Sequence, residues 1–337
     1  MPIVLVIMWN VMIIQSSFKA AWWLSNAHAQ TLFPTLVRDI VPPFDKLERL
    51  ELPDGDFVDL AWSIHGLDKS SPLVILLHGL GGSANSTYIA GFSHAALRCG
   101  WRSLVMEFRG ASEEPNRLPR AYHSGETGDL SFLLGELAKR EPQAKKAIVG
   151  VSLGGNVLLK WLGEVSRQSL IQAAVAVSVP FQLRIAADKM NRGFSRLYQT
   201  YLLRNMRQVF QRKIDKLGEK LSDRIKHMHD CDCFWTFDDR VTAPLHDFPN
   251  VHAYYRQASS RQYLIDIKTP TLIIHALDDP FMTPEVLPHV GELSEDITLE
   301  WSKKGGHVGF IGGDIPGKPE YWLDQRIPQF LQDYLCT

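Results

Sequence analysis

Ser152 stands in Gly150-Val151-Ser152-Leu153-Gly154, a G-x-S-x-G spacing that suits a serine used as a nucleophile. Ala147-Ile148-Val149 before it reads as a buried strand and the apolar stretch after it as a helix, so the serine falls on a sharp strand-to-helix turn. A side chain presented there needs a strained backbone crowded by other chain segments, which accounts for glycine two residues to either side. The helix that begins there aims free N–H groups and the positive end of its dipole at the place where an oxyanion would form. Leu153 N–H is the first donor expected.

Acyl transfer by such a serine also needs a second donor, a base and an acid to orient the base. His78-Gly79-Leu80-Gly81-Gly82 directly follows the apolar run Leu73 to Leu77, and its glycines let backbone approach a carbonyl. Leu80 N–H is the expected donor, with Gly81 the second choice and a plain glycine turn the structural alternative. Acid and base should follow in the order Ser, acid, His. Asp279 satisfies this just after the apolar run Thr271 to Ala276, and His307 after a last apolar run, in Gly305-Gly306-His307-Val308-Gly309-Phe310. The glycines around His307 suggest a mobile loop from which the imidazole reaches both partners. Asp278 is the rival acid; Asp279 is preferred because Pro280 follows it.

His275 is expected to be a satisfied core histidine and His289 to lie in a polar connection. His227-Met228-His229-Asp230-Cys231-Asp232-Cys233 gathers metal-ligand types, but C-x-C beside H-x-H does not match structural zinc spacing, so no metal is expected.

From about Phe57 onward, short apolar runs alternate with amphipathic stretches, the pattern of a parallel sheet covered by helices on both faces. Val58 to Ile64 alternates like a half-buried edge strand, whereas Leu73 to Leu77, Ser103 to Phe108, Ala147 to Val149, Ala173 to Val179 and Thr271 to Ala276 read as buried on both faces. Ile297 to Trp301 reads as the last strand. Leu130, Leu133, Leu134 and Leu137, and Leu158, Leu159 and Leu162, fall at helical spacing and mark core faces. The expected division is an apolar tail over 1–15, a core over 16–180, a helical cap over 181–262 and the rest of the core over 263–337.

Ile3 to Ile14 is too short to span a bilayer and lacks the basic n-region and cleavage site of a signal peptide. It is expected to be a dispensable tail outside the fold, or the product of an upstream start codon. With 36 basic against 37 acidic side chains, no global field favours nucleic acid or a membrane. The cap is locally basic from Arg184 through Arg192, Arg196 and Lys213 to Lys226; a solvated helix face is the first reading and a phospholipid contact the second. Cys99, Cys231, Cys233 and Cys336 are irregularly spaced, which fits a reducing, cytoplasmic setting.

At these residues the chain resembles the YheT-like hydrolases, a bacterial branch of the α/β-hydrolases related to eukaryotic abhydrolase lipases. The resemblance runs from about Trp23 to the C-terminus, through Ser25-Asn26-Ala27-His28-Ala29-Gln30-Thr31, Leu52-Pro53-Asp54-Gly55-Asp56, the His78-Gly79-Leu80 loop, and Phe108-Arg109-Gly110 with Glu114-Pro115-Asn116-Arg117. It continues through Tyr122-His123-Ser124-Gly125-Glu126-Thr127, the elbow ending in Asn156, Phe237-Asp238-Asp239, Asp278-Asp279-Pro280-Phe281-Met282 and Gly305 to Gly313. It implies an α/β-hydrolase fold with an inserted helical cap, a charge relay of Ser152, Asp279 and His307, and cofactor-free cleavage of small esters with short or medium acyl chains. An acyltransferase or thioesterase would use the same triad, and an inert binding protein would keep the fold without it. The departures from the family pattern are the apolar first 15 residues and Gly81, where relatives carry an acidic residue.

Overall fold

Alternate residues of the strand Leu73–Leu77 feed two different cores: Leu73, Ile75 and Leu77 pack with one set of helices, Val74 and Leu76 with another. That is the physical meaning of an unbroken apolar strand, which has no polar face because helices cover both sides. The computed structural model describes residues 12–225 and 227–336; Lys226, the end of the basic run, and residues 1–11 lie outside that description.

The strands are β1 (Met12–Gln15), β2 (Lys46–Glu51), β3 (Phe57–Ser63), β4 (Leu73–Leu77), β5 (Arg102–Glu107), β6 (Lys146–Val151), β7 (Ala173–Val177), β8 (Thr271–Ala276) and β9 (Ile297–Ser302), with a small separate ribbon of β10 (Ile311–Gly312) and β11 (Glu320–Tyr321). The helices are α1 (Ala27–Val37), α2 (Thr87–Arg98), α3 (Gly128–Arg140), α4 (Leu153–Val165), α5 (Leu183–Met190), α6 (Ser195–Leu217), α7 (Glu219–Ser222), α8 (Phe234–Phe237), α9 (Ala243–Leu245), α10 (Val251–Ala258) and α11 (Leu323–Leu335).

The main sheet runs β1-β9-β8-β7-β6-β4-β5-β3-β2. Only the β2–β3 and β3–β5 pairs are antiparallel; the rest are parallel. One face is covered by α3 and α4 through Leu130, Leu133, Leu134, Leu137, Leu158 and Leu162, the other by α2 and α11. Between β7 and β8 the chain leaves the sheet and forms the helices α5 to α10, with an apolar cluster of their own around Leu203, Phe210, Leu221, Phe237 and Val241.

Two sequence expectations are corrected. Met12–Gln15, assigned to a tail outside the fold, is an edge strand that pairs in parallel with β9 from Met12 opposite Thr298 to Gln15 opposite Trp301. Ser16 extends the attachment through its N–H to Trp301 O at 2.7 Å and its hydroxyl to Glu300 at 2.7 Å. The segment adds no interior layer, so its role was invisible as periodicity; it satisfies the open ladder of β9. Likewise, β3 is not an edge. It lies between β2 and β5, and the true edge is the charged strand β2, in which only Leu50 is buried.

Candidate active site

The carboxyl ends of the parallel strands lie side by side, with Leu77 opposite Gly150 and Ala276 opposite Ser302, so the turns that leave them converge above one edge. At the end of β6, Ser152 has φ +52° and ψ −116°, outside the ordinary right-handed regions, and α4 starts at the next residue. Backbone crowding explains the flanking glycines: a Cβ on Gly154 would lie 2.5 Å from Leu77 O, and one on Gly150 would lie 2.5 Å from Gly154 O.

Ser152, Asp279 and His307 come together. His307 Nε2 lies 3.0 Å from Ser152 Oγ, and His307 Nδ1 lies 2.8 Å from Asp279 Oδ2. Asp279 is buried, and its other oxygen accepts the Phe281 N–H at 2.8 Å. The Phe281 ring stacks on the imidazole, with centroids 4.0 Å apart and planes at 12°. Asp278, the rival acid, turns elsewhere and accepts the Gly306 N–H at 2.9 Å. Burial pushes its carboxyl above the usual range, against that hydrogen bond.

The loop carrying His307 is anchored, which replaces the expectation of mobile glycine flanks. His307 N–H donates to Thr31 Oγ1 at 2.9 Å, and Val308 N–H donates to Ser178 Oγ at 3.2 Å. Gly306 is there because of close approach: a Cβ would lie 2.5 Å from Ala27 O on α1. Asn26 caps α1 by accepting from His28 N–H at 2.9 Å and Ala29 N–H at 3.2 Å, which sets where Thr31 falls. The Ser25 to Thr31 motif thus positions His307; the sequence showed the motif without showing its partner.

Of the two expected donors, Leu153 N–H opens α4, where no intrahelical acceptor exists. The Leu80 loop is held by tyrosines: Gly79 N–H donates to Tyr88 Oη at 2.9 Å and Gly81 N–H to Tyr122 Oη at 2.9 Å. Gly81, the second-choice donor, is therefore occupied, while Leu80 N–H has no hydrogen-bond partner among the described residues. His78, at the root of the loop, accepts the Phe108 N–H at Nε2, so its Nδ1 proton points to Gly79 O at 2.8 Å. Burial lowers His78 to about 4, keeping it neutral. A cleft of about 640 Å³ opens beside this loop, between Leu80, Gly81, Tyr122 and α6 residues Asn205, Met206 and Val209.

Other motif residues are structural. Asn156 on α4 is fully buried, donating to Ser124 O and Ala258 O at 2.7 Å each and accepting from Ser260 N–H at 3.0 Å. Buried Arg109 pairs with buried Asp129, at 2.7 Å to both oxygens, and with the more exposed Asp54 at 2.7 Å. In the histidine and cysteine stretch, the buried Cys231 thiol donates to His227 O at 3.2 Å and Cys233 caps the start of α8. His289 is exposed beside Glu292. His275 departs from expectation: it is buried, but its Nδ1 has no partner, so it is not a satisfied core histidine.

The α/β-hydrolase fold family matches residues 72–314. YheT of Escherichia coli (strain K12), an esterase by provisional name, is 44% identical over 312 residues, spanning 92% of this chain and 92% of that protein. The chain belongs to the α/β hydrolases, in the YheT-like branch. More distant α/β hydrolases include the monoacylglycerol lipase of Saccharomyces cerevisiae, 31% identical over 79% of this chain and 60% of its own length. Human phospholipase ABHD3 is 26% identical, spanning 95% of this chain and 80% of that protein. Among solved α/β hydrolases, the Pyrococcus furiosus esterase Pf2001 superposes with a TM-score of 0.57 at 20% identity, covering 88% of this chain and 99% of that one; this likeness concerns the fold alone.

Proposed function

We propose that the protein cleaves carboxylic esters of small molecules, with short or medium acyl chains, through an acyl-enzyme on Ser152. The observation that carries this reading is His307 bridging Ser152 Oγ at 3.0 Å and Asp279 Oδ2 at 2.8 Å. His307 Nε2 accepts the serine proton as Oγ attacks the carbonyl, then passes it to the leaving alcohol; water repeats the cycle on the acyl-enzyme. Asp279 accepts a hydrogen bond from Nδ1–H, which keeps that proton on Nδ1 and so fixes the tautomer that leaves Nε2 basic. Leu80 and Leu153 N–H groups stabilise the oxyanion, each by about 3 kcal/mol. No cofactor enters these steps.

The helices between β7 and β8 act as a cap over the cleft, supported by α6 residues along its wall. The named activities of YheT, the yeast lipase and ABHD3 all concern ester hydrolysis, which supports the reaction class. A cytoplasmic setting is part of the proposal, supported by the free state of Cys99, Cys231, Cys233 and Cys336. A fluorophosphonate probe should label the parent protein on Ser152. Ser152→Ala should abolish labelling and lower turnover of a p-nitrophenyl ester by about five to six powers of ten, with folding retained. Turnover near a tenth of the parent rate in that variant would remove Ser152 from the role of nucleophile.

A further inference from the structure

Most of the basic run of the insertion divides into two groups once its partners are traced, while Arg184 pairs with Asp188 at 3.8 Å on its own helix. Arg212, Lys213, Lys216 and Arg224 are committed to backbone: Arg212 donates to Glu113 O at 3.1 Å, Lys213 to Leu118 O at 2.8 Å, Lys216 to Pro115 O at 2.7 Å and Arg224 to Pro244 O at 2.6 Å. Arg207 likewise donates to Cys231 O. Arg192, Arg196 and Arg204 are exposed and have no side-chain hydrogen bond or acidic partner among the described residues.

The same short segment carries three of the large apolar side chains that remain in water. Phe194 keeps 51% of its surface exposed, Leu197 61% and Tyr201 63%. Leu197, Tyr201 and Arg204 follow at i, i+4 and i+7, so they share one solvent-facing stripe of α6, with Phe194 at its start and Arg192 and Arg196 at the same end. A scattered exposed apolar residue is ordinary, but an aromatic and aliphatic stripe flanked by unpaired arginines is the composition of a helix that lies in a lipid interface.

The stripe also sits beside the site. Ser195 Oγ donates to Pro280 O at 2.6 Å, directly after Asp279, and Tyr198 packs on Phe281 at 5.0 Å. Phe281 in turn stacks on His307. The inward side of this helical turn therefore braces the acid loop, and its outward side carries the stripe.

We propose that the N-terminal half of α6 docks the protein onto a membrane surface containing anionic lipid. Phe194, Leu197 and Tyr201 enter the headgroup boundary, and Arg192, Arg196 and Arg204 meet lipid phosphates. Three side chains are too few to fill the roughly 800 Å² per partner of a standard protein interface, whereas each apolar and basic contact with an anionic surface adds independently. Docking there brings the cleft beside Leu80 to a surface made of ester-bearing molecules. The inference concerns binding and stands apart from the acyl-transfer reading.

The test is co-sedimentation of the full chain with vesicles of phosphatidylcholine alone and of phosphatidylcholine mixed with phosphatidylglycerol. Binding to the mixed vesicles at low ionic strength is expected, with release near 1 M salt, where the screening length falls to about 3 Å. Arg192→Ala, Arg196→Ala and Arg204→Ala combined should weaken partitioning on the order of a hundredfold. Leu197→Ser with Tyr201→Ser should weaken it as well, and unchanged thermal unfolding will show both variants folded. Ser152→Ala should bind like the parent, which separates this result from any failure of the hydrolase reading. The proposal is overturned if the parent stays in solution with anionic vesicles at low salt, or if the arginine variant binds like the parent. It is also overturned if the Leu197 and Tyr201 substitutions convert a larger species to a smaller one in gel filtration, which would make the stripe a contact between copies of the chain.

Discussion

At the carboxyl edge of the sheet, the pieces around Ser152 are located by backbone pressed on backbone, and no side chain could be added at Gly150, Gly154 or Gly306 without displacing a carbonyl. The helical insertion above it is located differently, by long basic side chains that reach across to carbonyls of the 113–120 segment. Lys213 is the extreme case, fully buried and donating to both Leu118 O and Arg120 O. Burial, the largest influence on it, lowers its ammonium to about 8. Close backbone packing permits few alternative geometries, which is what a site needing closely fixed groups requires. Side-chain tethers hold an element in place while leaving its own apolar cluster intact, which suits a part that shapes access.

The contrast can be broken first at the acid. Asp279→Asn should lower kcat/KM by about four powers of ten, because the amide no longer fixes the imidazole tautomer. Asp278→Asn should cost far less, since its partner is the Gly306 N–H. If kinetics rank the two the other way, the acid is Asp278.

Next in size is the elbow itself. Gly154→Ala places a Cβ 2.5 Å from Leu77 O, so it should destabilise by about 3 kcal/mol or more and remove activity together with fold stability. Denaturant melting that matched the parent would show that this contact relaxes freely.

His275 probes the buried edge by pH. Burial lowers it to about 4 from an ordinary 6.5, so the folded state takes up its proton less readily than the unfolded chain. The proton-linked penalty is therefore absent above pH 6.5, and folding stability is lost as pH falls from there toward 4. His275→Leu should remove that penalty and gain on the parent by about 1.4 kcal/mol per pH unit over this window, at most about 3 kcal/mol. Parallel stability curves for the two proteins across that range would mean that the imidazole is hydrated.

The smallest effect belongs to the insertion. Lys213→Met should leave Leu118 and Arg120 carbonyls unpaired and cost about 2 kcal/mol, while turnover of a small soluble ester stays close to the parent rate. A loss of turnover as large as that of Asp279→Asn would erase the distinction between tethered insertion and fixed site.

Sequence by itself determined the parts of this protein that are local in the chain. A strand, a glycine-bounded serine and a helix occupy consecutive residues, so the Ser152 turn, the Leu80 loop and the two-sided burial of β4, β6, β7 and β8 followed from residue order and period. Chain order likewise proposed His307 and narrowed the acid to two neighbours. Tertiary structure decided what depends on contacts between distant segments. Asp278 and Asp279 are one residue apart, and only the approach of the loop after β9 showed which carboxylate faces His307 and which holds Gly306. The anchoring of that loop by Thr31 and Ser178 joins residues more than a hundred positions away to His307 and Val308, and no periodicity records such a pairing. β1 and β2 escaped notice for a related reason. An edge strand is held chiefly by backbone hydrogen bonds to a single neighbour, and every residue type offers those, so the side-chain pattern that reveals a buried strand is absent.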